Sequence, residues 1–243
     1  FWVLQNLFHF IFSERNWIKM DSNSSSIQFF TSFQSSDFFY ILDAAFNTLL
    51  ISCVSIILGT ILGILFGWVL HVSKWKGAAT LGLFLDIFRS IPLIIQIILF
   101  YNFFPLIGIY LDAFEAGTVV LTIYCSSLMA FVFRGGLDSV ETVTRRAARS
   151  LGMTYFQDLR YIVFPIGLRA ILPSWTGVAL GVLKDSALVS VIGYVELLRA
   201  SQILITRTQQ PFLILTVVGL FYFSLSYPIA RFSDHIEKKW QND

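Results

Sequence analysis

RGGLDSVETVTRRAARSLGMTYFQDLRYIVFPIGLRAILP, from Arg134 to Pro173, is the stretch on which the organisation of this chain turns. It carries six arginines, at positions 134, 145, 146, 149, 160 and 169, and it lies between segments apolar enough to cross a membrane. A connector this rich in arginine belongs on the cytoplasmic side of a bilayer, because positive loops resist translocation. Its internal order, an Ala-Ala pair, a glycine and two prolines, predicts a docking surface for another protein.

Composition sets the class. Of the chain's residues 56% are hydrophobic and 13% charged, with a mean hydropathy of +0.73, whereas soluble domains carry about 25% charge. The chain is therefore an integral membrane protein. Its net charge of +2 is small and its basic residues sit at chosen points, so nothing implies nucleic acid. Cys53 and Cys125 both fall in apolar runs and read as small buried hydrophobes rather than as a disulfide.

Five stretches are long enough, at about 1.5 Å per residue, to approach a hydrocarbon core of about 30 Å. They cover about 45–70, 81–104, 117–133, 172–197 and 212–230, and the last ends in Tyr227-Pro228. Continuous apolar length without polar alternation makes them helices rather than barrel strands, since lipid tolerates no unpaired backbone. The fold class expected is all-α, five transmembrane helices with a connector over about 138–170.

The distribution of Lys and Arg orients these spans. Lys74, Lys76, the six connector arginines, Arg231, Lys238 and Lys239 fall on one side; Arg15, Lys19, Arg199 and Arg207 fall on the other. The expected topology has the N-terminus outside and the C-terminus in the cytoplasm. The first forty residues form an extracytoplasmic or interfacial segment. Its opening FWVLQNLFHFIF is too short to span, and it reads as an interfacial helix, a signal remnant or sequence upstream of a start at Met20.

Within the spans, Gly59, Gly63 and Gly67 recur every four residues and share one face, which lets another helix approach closely. Trp68 and Tyr40 read as interface anchors. Charged residues are the exception to be explained, since each costs about 2.5–3.5 kcal/mol at the centre of a lone helix. Arg89 is expected about 12 Å deep in the second span, and Lys184 and Asp185 a comparable distance into the fourth. Pro92 cannot donate to the carbonyl of Phe88 and leaves an acceptor beside Arg89. Two readings stand: a structural ion pair of Arg89 with Asp185 or Asp86, or a path for a polar substrate. In the second, Arg89 grips a carboxylate, Asp185 holds an ammonium, and Gln96, Lys184, Ser186 and Ser190 lie nearby. The spacing of Ser186 and Ser190 predicts one shared helical face.

In the connector, Ala147, Ala148, Leu151 and Tyr155 form an apolar stripe bordered by Arg145, Arg146 and Arg149. Gly152 is placed to break this helix into two. The plain alternative is an amphipathic helix lying on anionic lipid.

FRSIPLIIQ (88–96), FRGGLDSV (133–140), AARSLG (147–152) and KDSALVSVIG (184–193) together resemble the permease subunit of polar amino acid ABC importers, the histidine/glutamine/arginine group. The resemblance covers about Asp43 to the C-terminus. It implies a bacterial inner-membrane permease that pairs with a second copy or a sibling, binds two ABC ATPase subunits, and receives amino acid from an extracytoplasmic binding protein. ATP and Mg would sit on the ATPase, and no cofactor on this chain. The connector matches the family's coupling motif at Ala147, Ala148, Gly152, Ile171, Leu172 and Pro173, which implies ATPase coupling through Arg145, Arg146, Ala147, Ala148, Leu151, Gly152 and Tyr155. Two positions depart from it: Arg146 stands where the family has glutamate, and Glu141 where it commonly has proline.

The chain contains no GxxxxGK[ST], HExxH or CxxC, so its sequence predicts a transport subunit rather than an enzyme, and no metal site. His9, His71 and His235 are too scattered to make one. An ABC permease for methionine or another small solute is the nearest alternative, because RSIP suits that relative too. An ion-coupled secondary transporter calls for inverted repeats, into which five spans do not divide. A membrane scaffold leaves the midspan charges unexplained.

Overall fold

The first described helix is held at its start by a capping box, with the backbone N–H of Gln34 donating to Asp37 Oδ2 at 2.8 Å. A computed structural model describes residues 33–73 and 76–242; the expectations for the N-terminal segment up to residue 32, and for Lys74, lie outside them. The described residues form helices joined by short turns, with no strand among them.

Helix α1 (Ser35–Val72) is followed by α2 (Lys76–Ser90), α3 (Leu93–Leu106) and α4 (Ala113–Asp138). Two short helices follow, α5 (Thr142–Ser150) and α6 (Tyr155–Asp158), and a π-turn (Leu159–Val163) leads into α7 (Phe164–Asp185). That helix tightens into a 3-10 segment (Ser186–Ile192), and α8 (Leu197–Thr208) and α9 (Pro211–Asn242) complete the chain.

Four helical stretches are long and apolar enough to cross a membrane, and a fifth results if the α2–α3 pair is one bent span. α4 is the centre of the bundle, with 67% of its most apolar window buried, against 28% for the window in α1 and 11% in α9. Large apolar side chains left open on the outer helices, such as Ile57, Ile61 and Phe223, are what a lipid-facing surface requires.

The glycine face of α1 packs on α4 as its spacing predicts. A Cβ at Gly59 would lie 2.6 Å from that of Cys125, one at Gly63 would strike Met129, and one at Gly67 would lie 2.6 Å from the carbonyl of Ala130. Without those three side chains the two backbones come close enough for dispersion contacts that lipid cannot supply. α9 is attached more lightly, through Ile214 and Val218 against Ile41, Leu197 and Leu204, and through a 2.7 Å hydrogen bond between Thr176 and Ser233.

Several expected boundaries move. The second span is not continuous: α2 and α3 meet at a bend of 102°. The fourth is helical well before residue 172 and ends at Ile192, where Gly193 adopts φ +95°, a conformation that favours glycine. The fifth continues through Pro228 to Asn242 rather than stopping near residue 230. Cys125 is buried, but Cys53 is exposed on α1; an exposed thiol on a lipid-facing helix meets no conflict, because it is itself apolar. Trp68 is half-buried and packs against the cluster of Phe133, Leu137, Val140 and Val163.

Candidate functional site

The break between α2 and α3 is built by Pro92. Without an N–H, it leaves the carbonyl of Phe88 without its helical donor. Gln96, one turn into α3 and only 2% exposed, returns its side chain to the break. Its Nε2 donates at 2.7 Å to the carbonyl of Phe88 and at 2.7 Å to that of Ile91. Gln96, expected beside the substrate path, thus spends both amide protons on the backbone.

Arg89 occupies the last turn of α2. Its Nη1 lies 3.4 Å from Asp86 Oδ1, and its guanidinium sits 4.1 Å from the ring centroid of Phe131 on α4. Of the two structural pairings expected, the structure has Arg89 with Asp86; its ion pairs include none between Arg89 and Asp185. One turn of helix separates Arg89 from Asp86, whereas Asp185 lies at the end of α7.

Lys184 and Asp185 stand where α7 changes to 3-10 geometry, Lys184 exposed and Asp185 half-buried. Ser186 is fully buried and donates to the carbonyl of Leu183 at 2.8 Å; Ser190 is also buried. The shared face expected for these serines fails for a local reason. They lie in the 3-10 segment, where three residues complete a turn, so residues four apart point about 120° from each other. Ser186 aligns instead with Val189, and Val189 packs on Leu93 and Ile97 of α3. The helix carrying Gln96 therefore rests against the segment carrying the serines.

At the end of the bundle remote from the arginine connector, a second polar group was not foreseen. Glu196 is fully buried and caps α8, accepting from the N–H groups of Leu198 and Arg199, both at 2.8 Å, and from the hydroxyl of Tyr222 at 3.0 Å. Burial raises its pKa above the usual carboxylate value, and those three hydrogen bonds offset part of the rise. The neighbouring Tyr194 is pushed up to about 12 by burial and by the carboxylates of Glu196, Asp112 and Asp43. Its hydroxyl donates to the carbonyl of Asn47, while Asn47 Nδ2 donates to the carbonyl of Val195. At its other end α8 is tied to α1 by Arg207, which pairs with buried Asp37. A glycine and then an acidic residue just before a helical run was the available signal; carrying the fourth span through Leu197 concealed it.

The connector forms a helical hairpin. α5 ends in a Schellman motif: the N–H of Met153 reaches the carbonyl of Ala148 at 3.2 Å and that of Gly152 reaches Arg149 at 3.0 Å, with Gly152 at φ +84°. The break expected at Gly152 is therefore present. Thr154 caps α6 through a reciprocal pair of hydrogen bonds with Gln157. The expected apolar stripe divides: Ala148 is buried, whereas Ala147, Leu151 and Tyr155 are exposed, Leu151 by 84%. Arg145 turns inward to pair with Asp158, so it is not an open contact, while Arg146 and Arg149 are exposed. Phe156 is 77% exposed beside Tyr155 and extends the exposed apolar surface of Leu151 and Tyr155. An aromatic pair in a short polar connector was its signal. Nearby, Asp138 joins His71 at 2.7 Å and Arg134 at 3.3 Å.

An apolar groove of about 410 Å³ runs between α1, α4 and α7, past Ile64, Phe133, Phe164 and Trp175. Its hydroxyl, on Thr60, already accepts from Trp175 Nε1 at 3.0 Å, so nothing there grips a zwitterion. Among the described residues no three His, Cys, Asp or Glu side chains are grouped to hold a metal.

A bundle of four to five apolar helices, with charges within its spans and a compact hairpin projecting from one end, defines a membrane transport subunit. Residues 55–242 match the family described as the binding-protein-dependent transport system inner membrane component, and the chain belongs to that family. A probable glutamine ABC transporter permease of Bacillus subtilis is 31% identical over 202 residues, spanning 82% of this chain and 92% of that one. The glutamine transport system permease of Escherichia coli K12 is 26% identical over 201 residues, with 82% and 92% covered. A crystal structure of an amino acid ABC transporter with histidines aligns with a TM-score of 0.78 at 27% identity, covering 84% of this chain and 95% of that one. An inward-facing methionine ABC transporter shares the fold, with a TM-score of 0.72 at 22% identity and 85% and 99% covered. The chain is an integral inner-membrane permease.

Proposed function

We propose that this permease belongs to an ABC importer that moves polar amino acids into the cytoplasm. Relatives whose names specify glutamine support that substrate class. A zwitterion also needs both signs of charge within the bilayer, and Arg89, Lys184 and Asp185 supply them. Arg89 would meet the carboxylate and Asp185 the ammonium. The likeness to the methionine transporter extends to fold alone and carries no substrate argument.

ATP and Mg would be held by two ATPase subunits, with an extracytoplasmic binding protein delivering substrate and a second permease copy or a sibling completing the path. The single observation behind ATPase docking is the hairpin's exposed Leu151, with Tyr155 and Phe156 beside it: a large apolar surface on a basic loop is what a partner's groove covers. Closure of the ATPases would push on this hairpin and tilt α7, which follows it directly. The connector's arginines favour a cytoplasmic hairpin and C-terminus, with the N-terminus outside.

The test is reconstitution of the permease with its ATPase and binding protein in liposomes, followed by uptake of labelled L-glutamine, L-histidine, L-arginine and L-methionine. ATP-dependent entry of one of the first three supports the reading. Uptake driven by a proton or sodium gradient without ATP, or entry of methionine alone, overturns it.

A further inference from the structure

We infer that Gln96 is a positioning residue that locks the α2–α3 elbow and thereby fixes where Arg89 stands. Its two amide protons meet the carbonyls of Phe88 and Ile91, each at 2.7 Å. Both neighbours are acceptors, so the amide group must face them. The two carbonyls flank Ser90 at the break, and Arg89 lies between them in sequence. A single side chain therefore pins the backbone on both sides of the turn, with Arg89 inside the pinned interval.

The environment makes this lock stringent. Gln96 is 2% exposed, and its Oε1 is buried without a hydrogen-bond partner among the described residues. Lipid offers no donor to replace one lost at this position. On the far side of Arg89, stacking on Phe131 at 4.1 Å holds the guanidinium against α4. The elbow and the ring together set its height in the bilayer. A glutamate here could not substitute, because a carboxylate has no proton to donate; only its acid form supplies one of the two.

This inference rests on the importer reading above, in which Arg89 meets the substrate's carboxylate. Two measurements separate the two claims. The first uses the reconstituted complex with exposed Cys53 replaced by Ala and nitroxides at Leu83→Cys and Leu99→Cys, exposed positions on either arm of the elbow. The label-to-label distance distribution should broaden in Gln96→Leu. In Gln96→Glu it should broaden at pH 8 and narrow again at pH 6, where the acid form returns a donor. The second measures uptake of labelled L-glutamine. Gln96→Leu should lower it about tenfold, the factor equivalent to ~1.4 kcal/mol, and the ratio of Gln96→Glu to the unsubstituted complex should rise several-fold between pH 8 and pH 6.

Distance distributions unchanged by either variant overturn the elbow lock. A flat uptake ratio alongside a pH-dependent distance overturns its link to Arg89. If Gln96→Leu does not assemble, Gln96→Glu at the two pH values decides the matter. Should the unsubstituted complex take up no amino acid, the importer reading falls, and the distance measurement still decides the lock.

Discussion

Arg145 Nε lies 3.0 Å from Asp158 Oδ2, and this ion pair ties α5 to α6 across the turn at Gly152. Asp158 is fully buried, while the Arg145 side chain is 20% exposed. The pair therefore acts inside the hairpin and leaves Leu151 at its tip for a partner. Arg145→Ala would strand a buried carboxylate, at a cost of about 3 kcal/mol. Hydrogen exchange in residues 142–160 should quicken markedly, and the double variant Arg145→Leu with Asp158→Leu should restore part of the protection. Equal exchange in all three proteins would show that the pair holds nothing together.

Arg146 has the opposite disposition. It is exposed on α5, and the ion pairs recorded among the described residues do not include it. In the proposed docking, Arg146, standing where the family carries glutamate, would face an acidic or neutral group on the ATPase. Arg146→Glu should lower transport-linked ATP hydrolysis several-fold while the permease's melting temperature stays the same. Reversing an acidic residue on the facing ATPase surface should recover activity, with a coupling energy of about 1 kcal/mol or more. Strictly additive effects would remove Arg146 from the interface.

The parts of this molecule that sequence revealed are those governed by local rules. Apolar length disclosed the spans, four-residue spacing disclosed the glycine face on α1, and Gly152 disclosed the hairpin's turn, because each depends on neighbours along the chain. What stayed hidden depends on pairings in space or on local helix type. The lost donor at Pro92 was visible, but the reply from Gln96 required the 102° bend to be seen. Ser186 and Ser190 were assigned one face because sequence spacing does not announce a change from α to 3-10 winding. Arg145 borders the connector's apolar stripe in sequence, but its partner Asp158 lies thirteen residues away, beyond the turn. Asp37 and Arg207 are separated by 170 positions, and no periodicity connects them.

Glu196 gives the fold a pH dependence of defined sign. Burial raises its pKa in the folded state above the ordinary value of 4.5, so folding favours the protonated form. Its contribution is fully present below the unfolded value and is lost as pH rises through the folded one. In detergent, the melting temperature should decline as pH climbs upward from about 4.5. Glu196→Gln, which cannot ionise, should flatten that slope. A slope identical in the two proteins would assign the titration to other groups.

The α1–α4 contact leaves no room at Gly63, where an added Cβ would meet Met129 on one side and lie 3.2 Å from the backbone nitrogen of Ala130 on another. Backbone atoms cannot move aside as a flexible side chain would. Gly63→Leu should destabilise the permease by about 1–3 kcal/mol or more, seen as a lower melting temperature and a reduced yield of monodisperse protein. Gly177 offers a control within another span, since an added Cβ there meets nothing within 4 Å; Gly177→Ala should leave both measurements nearly unchanged. Equal losses at the two positions would mean that helix approach is not the cause.

Asp185 separates the transport role from a structural one. It is half-buried, follows exposed Lys184, and terminates α7 just where the winding tightens. The ion pairs of the described residues include none that engages it, so a carboxylate within a membrane-spanning stretch is held at a cost of about 2.5 kcal/mol or more. The neighbouring Lys184 charge offsets part of that cost, and in the proposed importer a substrate ammonium would offset more of it. Asp185→Asn preserves shape and hydrogen-bonding capacity while removing the charge. It should reduce uptake of labelled L-glutamine by at least about tenfold, yet leave complex assembly and melting temperature intact or slightly improved, because the buried charge is gone. A large fall in stability with uptake per assembled complex preserved would instead make Asp185 part of the scaffold, and the substrate's ammonium would need another partner.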